Sequence, residues 1–392
     1  MVYLDWAATA PPDPEALDEA RAAATDHYAN PSSPHAAGRG AESFLQVQRR
    51  RLAACIGADP SEIIFTSGGT ESNNIVLWSA LNSGSAATVV ISGIEHDSVW
   101  QPARGLSARG VGVRIVAAGA SGRVDPDRLA EALDESTRLV SVMLVSNETG
   151  AVQPVAEIAA AVRERARRLG RRILLHTDAV QALGKLPPSV VDMRTLGVDS
   201  ASFSSHKIRG PRGVGALWLR RGTRLEPVYT GGGQESGMRP GTENLPGVTG
   251  FAAAAERHGD APDARERAGR LMSRLLDELA SMEGVEPIPR DRVTAPPGSF
   301  SPFILKITAP PVPGEVLVRA LGDRGVLVST GSDCSSRKRD RNRVLEAMGV
   351  DRERAFSSVR ISIGCATTEG DIDALLEALH AELPALLRVA RG

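Results

Sequence analysis

The chain is 392 residues long, a length that fits two or three domains of ordinary size. Its 46 basic and 47 acidic residues cancel to a net charge of −1, and 42% of the chain is apolar. That composition can bury a sizeable core and excludes a disordered tail protein or a generic polyanion binder.

Met1 to Ala10 has neither a basic n-region nor an apolar h-region, so no secretory signal is expected. A Pro-rich stretch, Ala10 to Pro14, leads into the first large unit. From about residue 60 to 220 the chain alternates strand-like and helix-like segments. Short apolar runs stand at Ile63–Thr66, Thr88–Ser92, Leu139–Val145, Ile173–Thr177, Ser200–Ser204 and Gly215–Leu219. Between two of them, Val155, Ile158, Ala159, Val162, Ala166 and Leu169 recur at helical spacing and leave Arg163, Glu164, Arg167 and Arg168 facing outward. The alternation predicts an α/β fold, an open and mainly parallel sheet covered by helices on both faces. The charge-free stretch Ser72–Ile94 is a poor membrane span, because Asn73, Asn74 and Asn82 interrupt it.

The composition shifts near Arg257–Arg265. A helix (Arg265–Ala280), strand-like runs near Phe303–Ile307 and Val359–Ile363, and a last helix from about Gly370 then predict a smaller α+β domain. The expected division is a large domain over 15–257 and a small one over 1–14 with 258–392. The three cysteines, Cys55, Cys334 and Cys365, fit neither a disulfide framework nor a Cys-x-x-Cys metal pair, so a reducing cytoplasm is expected. Cys55 and Cys365 are read as structural. The histidines show no chelating spacing, and no metal is expected.

In open α/β sheets ligands bind beyond the carboxyl ends of the strands, so the residues just past each run test for a site. They are Ser67-Gly68-Gly69-Thr70-Glu71, then Glu95-His96, Asn147-Glu148, Asp178 with Gln181, and His206-Lys207. Each alone has a bland reading as a cap or a surface polar group. Together they supply an anion cup, an aromatic plate, a carboxylate and a primary amine. Pyridoxal phosphate needs this set: a lysine for its aldehyde, a carboxylate for its ring nitrogen and a cup for its phosphate. Of the four lysines (Lys185, Lys207, Lys306 and Lys338), Lys207 is the best placed. Lys185 precedes a Pro-Pro turn, Lys306 lies inside a strand run and Lys338 sits in an Arg-rich loop. Asp178 would face the ring nitrogen, with Gly69, Thr70, Ser204 and His206 at the phosphate and His96 on the ring.

Several runs resemble the pyridoxal-phosphate cysteine desulfurases. They include Tyr3-Leu4-Asp5, Asn30-Pro31-Ser32-Ser33, Phe65 to Asn74, Glu95-His96, His176 to Gln181, Ser202 to Lys207, and Gly231 to Glu235 with Arg239 to Asn244. The resemblance spans about residues 3 to 385 and implies the aminotransferase class V group of fold type I pyridoxal-phosphate enzymes, acting as a homodimer. It assigns Lys207 to the cofactor aldehyde, Asp178 to the pyridine nitrogen and His96 to ring stacking and proton transfer. Asn147 and Gln181 would contact the phenolic oxygen. Thr70, Ser204 and His206 would hold the phosphate, joined by Thr242 from the other subunit. Arg360, with Asn147, would bind the carboxylate of the L-cysteine substrate.

Thr330 to Ser336 resembles the mobile loop that carries the nucleophilic cysteine in the longer-loop, group I desulfurases, which makes Cys334 the sulfur acceptor. A protein would then collect the sulfur from its persulfide, and the other product is alanine. Asp333 stands where a small alanine is usual and should raise the thiol pKa. The stretch from Arg337 to Arg343 carries five cations to one anion. It would lower that pKa, attract an acidic acceptor or a nucleic acid, or simply be solvated, and these readings stay open. Trp6, Ser146 and Arg209 also depart from the family pattern. Two further activities remain compatible with the residues: a selenocysteine lyase or related C–S lyase, and a weakly catalytic sulfur-relay or nucleic-acid-associated scaffold.

Overall fold

The computed structural model describes residues 1–83, 87–331 and 342–391. The chain opens with a short strand, β1 (Val2–Tyr3), and two helices, Pro14–Asp26 and Ala36–Cys55. Seven strands follow: β2 (Ile63–Thr66), β3 (Thr88–Ser92), β4 (Gly112–Val116), β5 (Thr137–Ser141), β6 (Leu174–Asp178), β7 (Ser200–Ser204) and β8 (Gly215–Leu219). They form one sheet in the order β2-β8-β7-β6-β5-β3-β4.

Adjacent strands from β7 across to β4 are parallel, as the alternation predicts, and β8 runs against both β7 and β2. The reversal follows from the connection. The turn Ser205–Val214 is too short for the helical crossover that a parallel neighbour needs. β4 has no counterpart among the apolar runs of the sequence, because it is a half-exposed edge strand interrupted by Arg114. β5 leaves its ladder after Ser141, earlier than its apolar run suggests. Val142 and Leu144 nevertheless keep donating to His176 O and Asp178 O, so the chain stays aligned as it delivers Asn147 and Glu148.

β9 (Glu286–Ile288), β10 (Ile304–Thr308), β11 (Val326–Leu327) and β12 (Ser358–Ser362) complete the strands. β12, β10 and β9 make an antiparallel sheet, and β11 pairs in parallel with β1. Leu4 and Ala7 pack with Leu271, Leu275, Phe303, Ile361 and Leu379 in a core separate from the one under the large sheet. The chain start thus belongs to the packing of its second half. The helices Pro262–Ala280 and Glu369–Arg391 cover this smaller sheet. No helix among the described residues is long and apolar enough to cross a membrane.

Candidate active site

β2, β3, β5, β6 and β7 point the same way, so their carboxyl ends share one edge of the large sheet. A cavity of about 360 Å³ opens there, closed on the other side by Ala7 and Ala8 from the chain start and Arg360 from β12. Gly69, Thr70, His96, Asn147, Asp178, Gln181, Ser204, His206, Lys207 and Arg360 all line it.

One end is built for an anion. The turn after β2 passes through Gly68 at φ 152°, and the helix Gly69–Trp78 starts there with no side-chain cap. Its first N–H groups are left to whatever occupies the cavity. Glycines allow this close packing: a Cβ on Gly69 would lie 2.5 Å from Val180 Cγ2, and one on Gly215 would lie 2.6 Å from Gly68 Cα. His206 Nδ1 pairs with Thr9 Oγ1 at 3.0 Å. Burial, then the charges of Lys207 and Lys185, pull its pKa down to about 4, so it is a neutral ring at this end.

At the end of β6, Asp178 is buried and accepts from Asn73 Nδ2 (2.8 Å) and from the Val180 N–H (3.0 Å). Asn73 must then turn Oδ1 toward His176 Nε2, 2.9 Å away, and His176 Nδ1 faces Ser200 Oγ at 2.9 Å. Burial pushes His176 down to about 3, so the ring is neutral and Nε2–H is the donor in this chain. The buried carboxylate of Asp178 is therefore oriented from behind by a hydrogen-bonded relay.

Lys207, on the turn after β7, donates from Nζ to Ala7 O and Ala8 O, both at 2.7 Å. It is the only lysine among the described residues that lines the cavity. Gln181 Nε2 donates to the same Ala7 O at 2.9 Å. His96 caps the helix Asp97–Ser107 by accepting the Ser98 N–H on Nδ1, which leaves Nε2 for the cavity side. Arg360 donates to Asn147 O (3.0 Å) and pairs with Asp5 (2.9 Å).

Two carboxyls deepen the site beyond what the motifs indicated. Glu148 is buried against Lys306 Nζ, 2.7 Å away. Burial opposes its ionisation, but Lys306 and Arg360 outweigh it and hold the carboxyl below the ordinary range. Glu95, fully buried, accepts from Ser92 Oγ (2.5 Å) and the Met143 N–H (2.7 Å), while its Oε2 has no hydrogen-bond partner among the described residues. Burial pushes it up to about 7, the nearby Asp178 adding to the rise against its two hydrogen bonds.

Cys334, Asp333, Lys338 and Arg337–Arg341 lie outside the described residues. The residues on either side, Gly331 and Asn342, both line the cavity. Thr242 is not in the cavity. It is exposed in an open groove with Glu71, Gln234 and Arg239. Asn73, Glu95 and Lys306 had no assigned role in the sequence. The signal for Asn73 was its place one helical turn after Gly69, on the face that packs toward the sheet.

The strand order and the lysine-bearing edge define an α/β fold with a cavity at the carboxyl ends of its parallel strands. The aminotransferase class-V family profile matches residues 2–375. Over 97% of its length the chain is 37% identical to cysteine desulfurase IscS 1 of Archaeoglobus fulgidus, covering 96% of that protein. It is 38% identical over 96% of its length to the human cysteine desulfurase, covering 80% of it. Among solved structures it resembles a NifS-like protein at 34% identity and a TM-score of 0.88, over 98% of this chain and 99% of the other. The chain belongs to the aminotransferase class-V family.

Proposed function

We infer that the chain is a cysteine desulfurase that uses pyridoxal 5′-phosphate, converts L-cysteine to L-alanine and passes the sulfur on as a persulfide of Cys334. The observation that carries this reading is the convergence of Lys207, the oriented Asp178 carboxylate and the uncapped helix start in one cavity. The cradle fits the cofactor. Lys207 would hold its aldehyde, Asp178 its protonated ring nitrogen and Gln181 its phenolic oxygen, with Gly69, Thr70, Ser204 and His206 around the phosphate. Bound there, the cofactor supplies a ring that stores the electron pair released at the substrate Cα.

The chain's own residues do the rest. The planar fork of Arg360, steadied by Asn147 O and Asp5, suits the substrate carboxylate. Lys207 Nζ and His96 Nε2 stand at the same cavity and move the substrate protons. The Cys334 thiolate attacks the substrate sulfur, so that an S–S bond forms as the Cβ–S bond breaks. The bonding pair stays with Cβ, which takes a proton to complete alanine. The placement of Gly331 and Asn342 supports this, since the segment carrying Cys334 leaves and rejoins the described chain at the cavity wall. The exposed groove around Thr242 supports a homodimer in which this residue completes the other subunit's phosphate site. A protein acceptor for the sulfur and a cytoplasmic location complete the reading. Alanine formed from L-cysteine in step with acceptor-dependent sulfide release tests it, and a protein loaded with cofactor that forms no alanine would refute it.

A further inference from the structure

Lys185 is a buried amine that the reaction above does not use. It lies four residues after Gln181 and is 7% exposed. Its Nζ donates to Gln181 Oε1, Gln181 Nε2 donates to Ala7 O at 2.9 Å, and Lys207 Nζ donates to that same oxygen at 2.7 Å. A second link is spatial. Lys185 and Lys207 both line a smaller chamber of about 40 Å³ behind the main cavity.

We propose, resting on the cofactor reading above, that Lys185 is a positioning residue that sets the proton affinity of the Lys207 nitrogen. It acts in two ways. By donating to Oε1 it keeps the N–H edge of Gln181 turned toward Ala7 O and the cavity, the edge that would donate to the cofactor's phenolic oxygen. Its amine also stands across the wall from Lys207, where a second positive charge is disfavoured.

The groups facing Lys185 are cationic or neutral. Lys207 and Arg209 come from the turn after β7, His258 from the end of the helix Leu245–His258, Cys365 from beyond β12, and Arg360 from β12 itself. His206 adjoins Lys207, and the carboxylate of Asp13 is taken up by His258 at 2.6 Å. No carboxylate among the described residues lines the chamber. Burial, then the charges of Lys207 and Arg360, accordingly hold Lys185 well below the ordinary lysine value.

Removing Lys185 has one sign in both respects. Loss of the oriented Gln181 donor and loss of the neighbouring amine each make the Lys207 nitrogen easier to protonate when it is joined to the cofactor. The test is a pH titration of the visible absorbance of the cofactor-loaded protein. Lys185→Met should raise the midpoint by about one pH unit, a tenfold change in proton affinity. The additional rise should be smaller when Lys185→Met is made in a Gln181→Ala background. A Lys185→Met protein that carries full cofactor and titrates at the wild-type midpoint would overturn the proposal. Where that variant does not load, Lys185→Leu, which also lacks a donor, is titrated instead, with the same rise expected and an unchanged midpoint equally fatal. A visible absorbance that survives Lys207→Ala would instead refute the assignment of Lys207 on which the proposal rests.

Discussion

Lys306 and Arg360 are direct cross-strand partners in the antiparallel β10–β12 ladder, two cations side by side on one face of a buried sheet. Like charges in that relation repel, and Glu148 offsets them: its carboxylate bonds Lys306 and is stabilised by both. Lys306 also donates to Thr330 O at 2.5 Å, so the trio ties the segment leading to Cys334 to the residue proposed for the substrate carboxylate. Glu148→Gln should cost about 3–5 kcal/mol, because buried Lys306 loses the carboxylate it bonds while Arg360 beside it keeps Asp5. Lys306→Met in that background should recover part of the loss. Denaturant unfolding of the two single variants and the double variant decides it, and strict additivity would contradict the trio. Glu148 is held below the unfolded carboxylate value of about 4.3, so its contribution is complete above that pH and fades as the pH falls through the lower folded value.

Arg360→Lys keeps a charge but loses the fork. We expect KM for L-cysteine to rise by about tenfold or more while the visible absorbance of the bound cofactor stays unchanged. Steady-state alanine production measures this. A wild-type KM would move the carboxylate site away from β12.

Lys207→Ala should abolish the visible absorbance of the covalently joined cofactor and all alanine formation. An unaltered spectrum would transfer the chemistry to another lysine, and Lys185, behind the cavity wall, would be the first to try.

His176 sets a pH limit on stability. Burial depresses it to about 3 against about 6.5 unfolded, so the unfolded chain binds the extra proton between those values. Stability therefore rises with pH through that window and is flat above it with respect to this group. Below about pH 6.5 the loss approaches about 1.4 kcal/mol per pH unit. His176→Gln should flatten the acid limb of the unfolding free energy, and two parallel limbs would contradict the neutral-ring assignment.

The site was largely legible in the sequence because of how an open α/β sheet is built. Each apolar run ended where a polar residue had to emerge, and the shared edge then brought Gly69, Asp178, Ser204 and Lys207 together. What stayed hidden depends on pairings between distant segments. Lys306 read as one more residue in a strand run, and only the β10–β12 register and the loop after β5 show that it meets Arg360 and Glu148. Asn73 reaches Asp178 and His176 only once its helix has packed on the sheet. The reversed β8 followed from the length of a connection rather than from any apolar pattern.

The central claim is that sulfur from L-cysteine passes to Cys334. The most direct test is mass spectrometry of the peptide containing Cys334 after a single turnover, with alanine counted in parallel. We expect that peptide to gain one sulfur atom, matched by one alanine, and Cys334→Ala to keep its cofactor while forming neither persulfide nor alanine. Full alanine and sulfide release by Cys334→Ala, or a persulfide on Cys55 or Cys365 instead, would contradict the account.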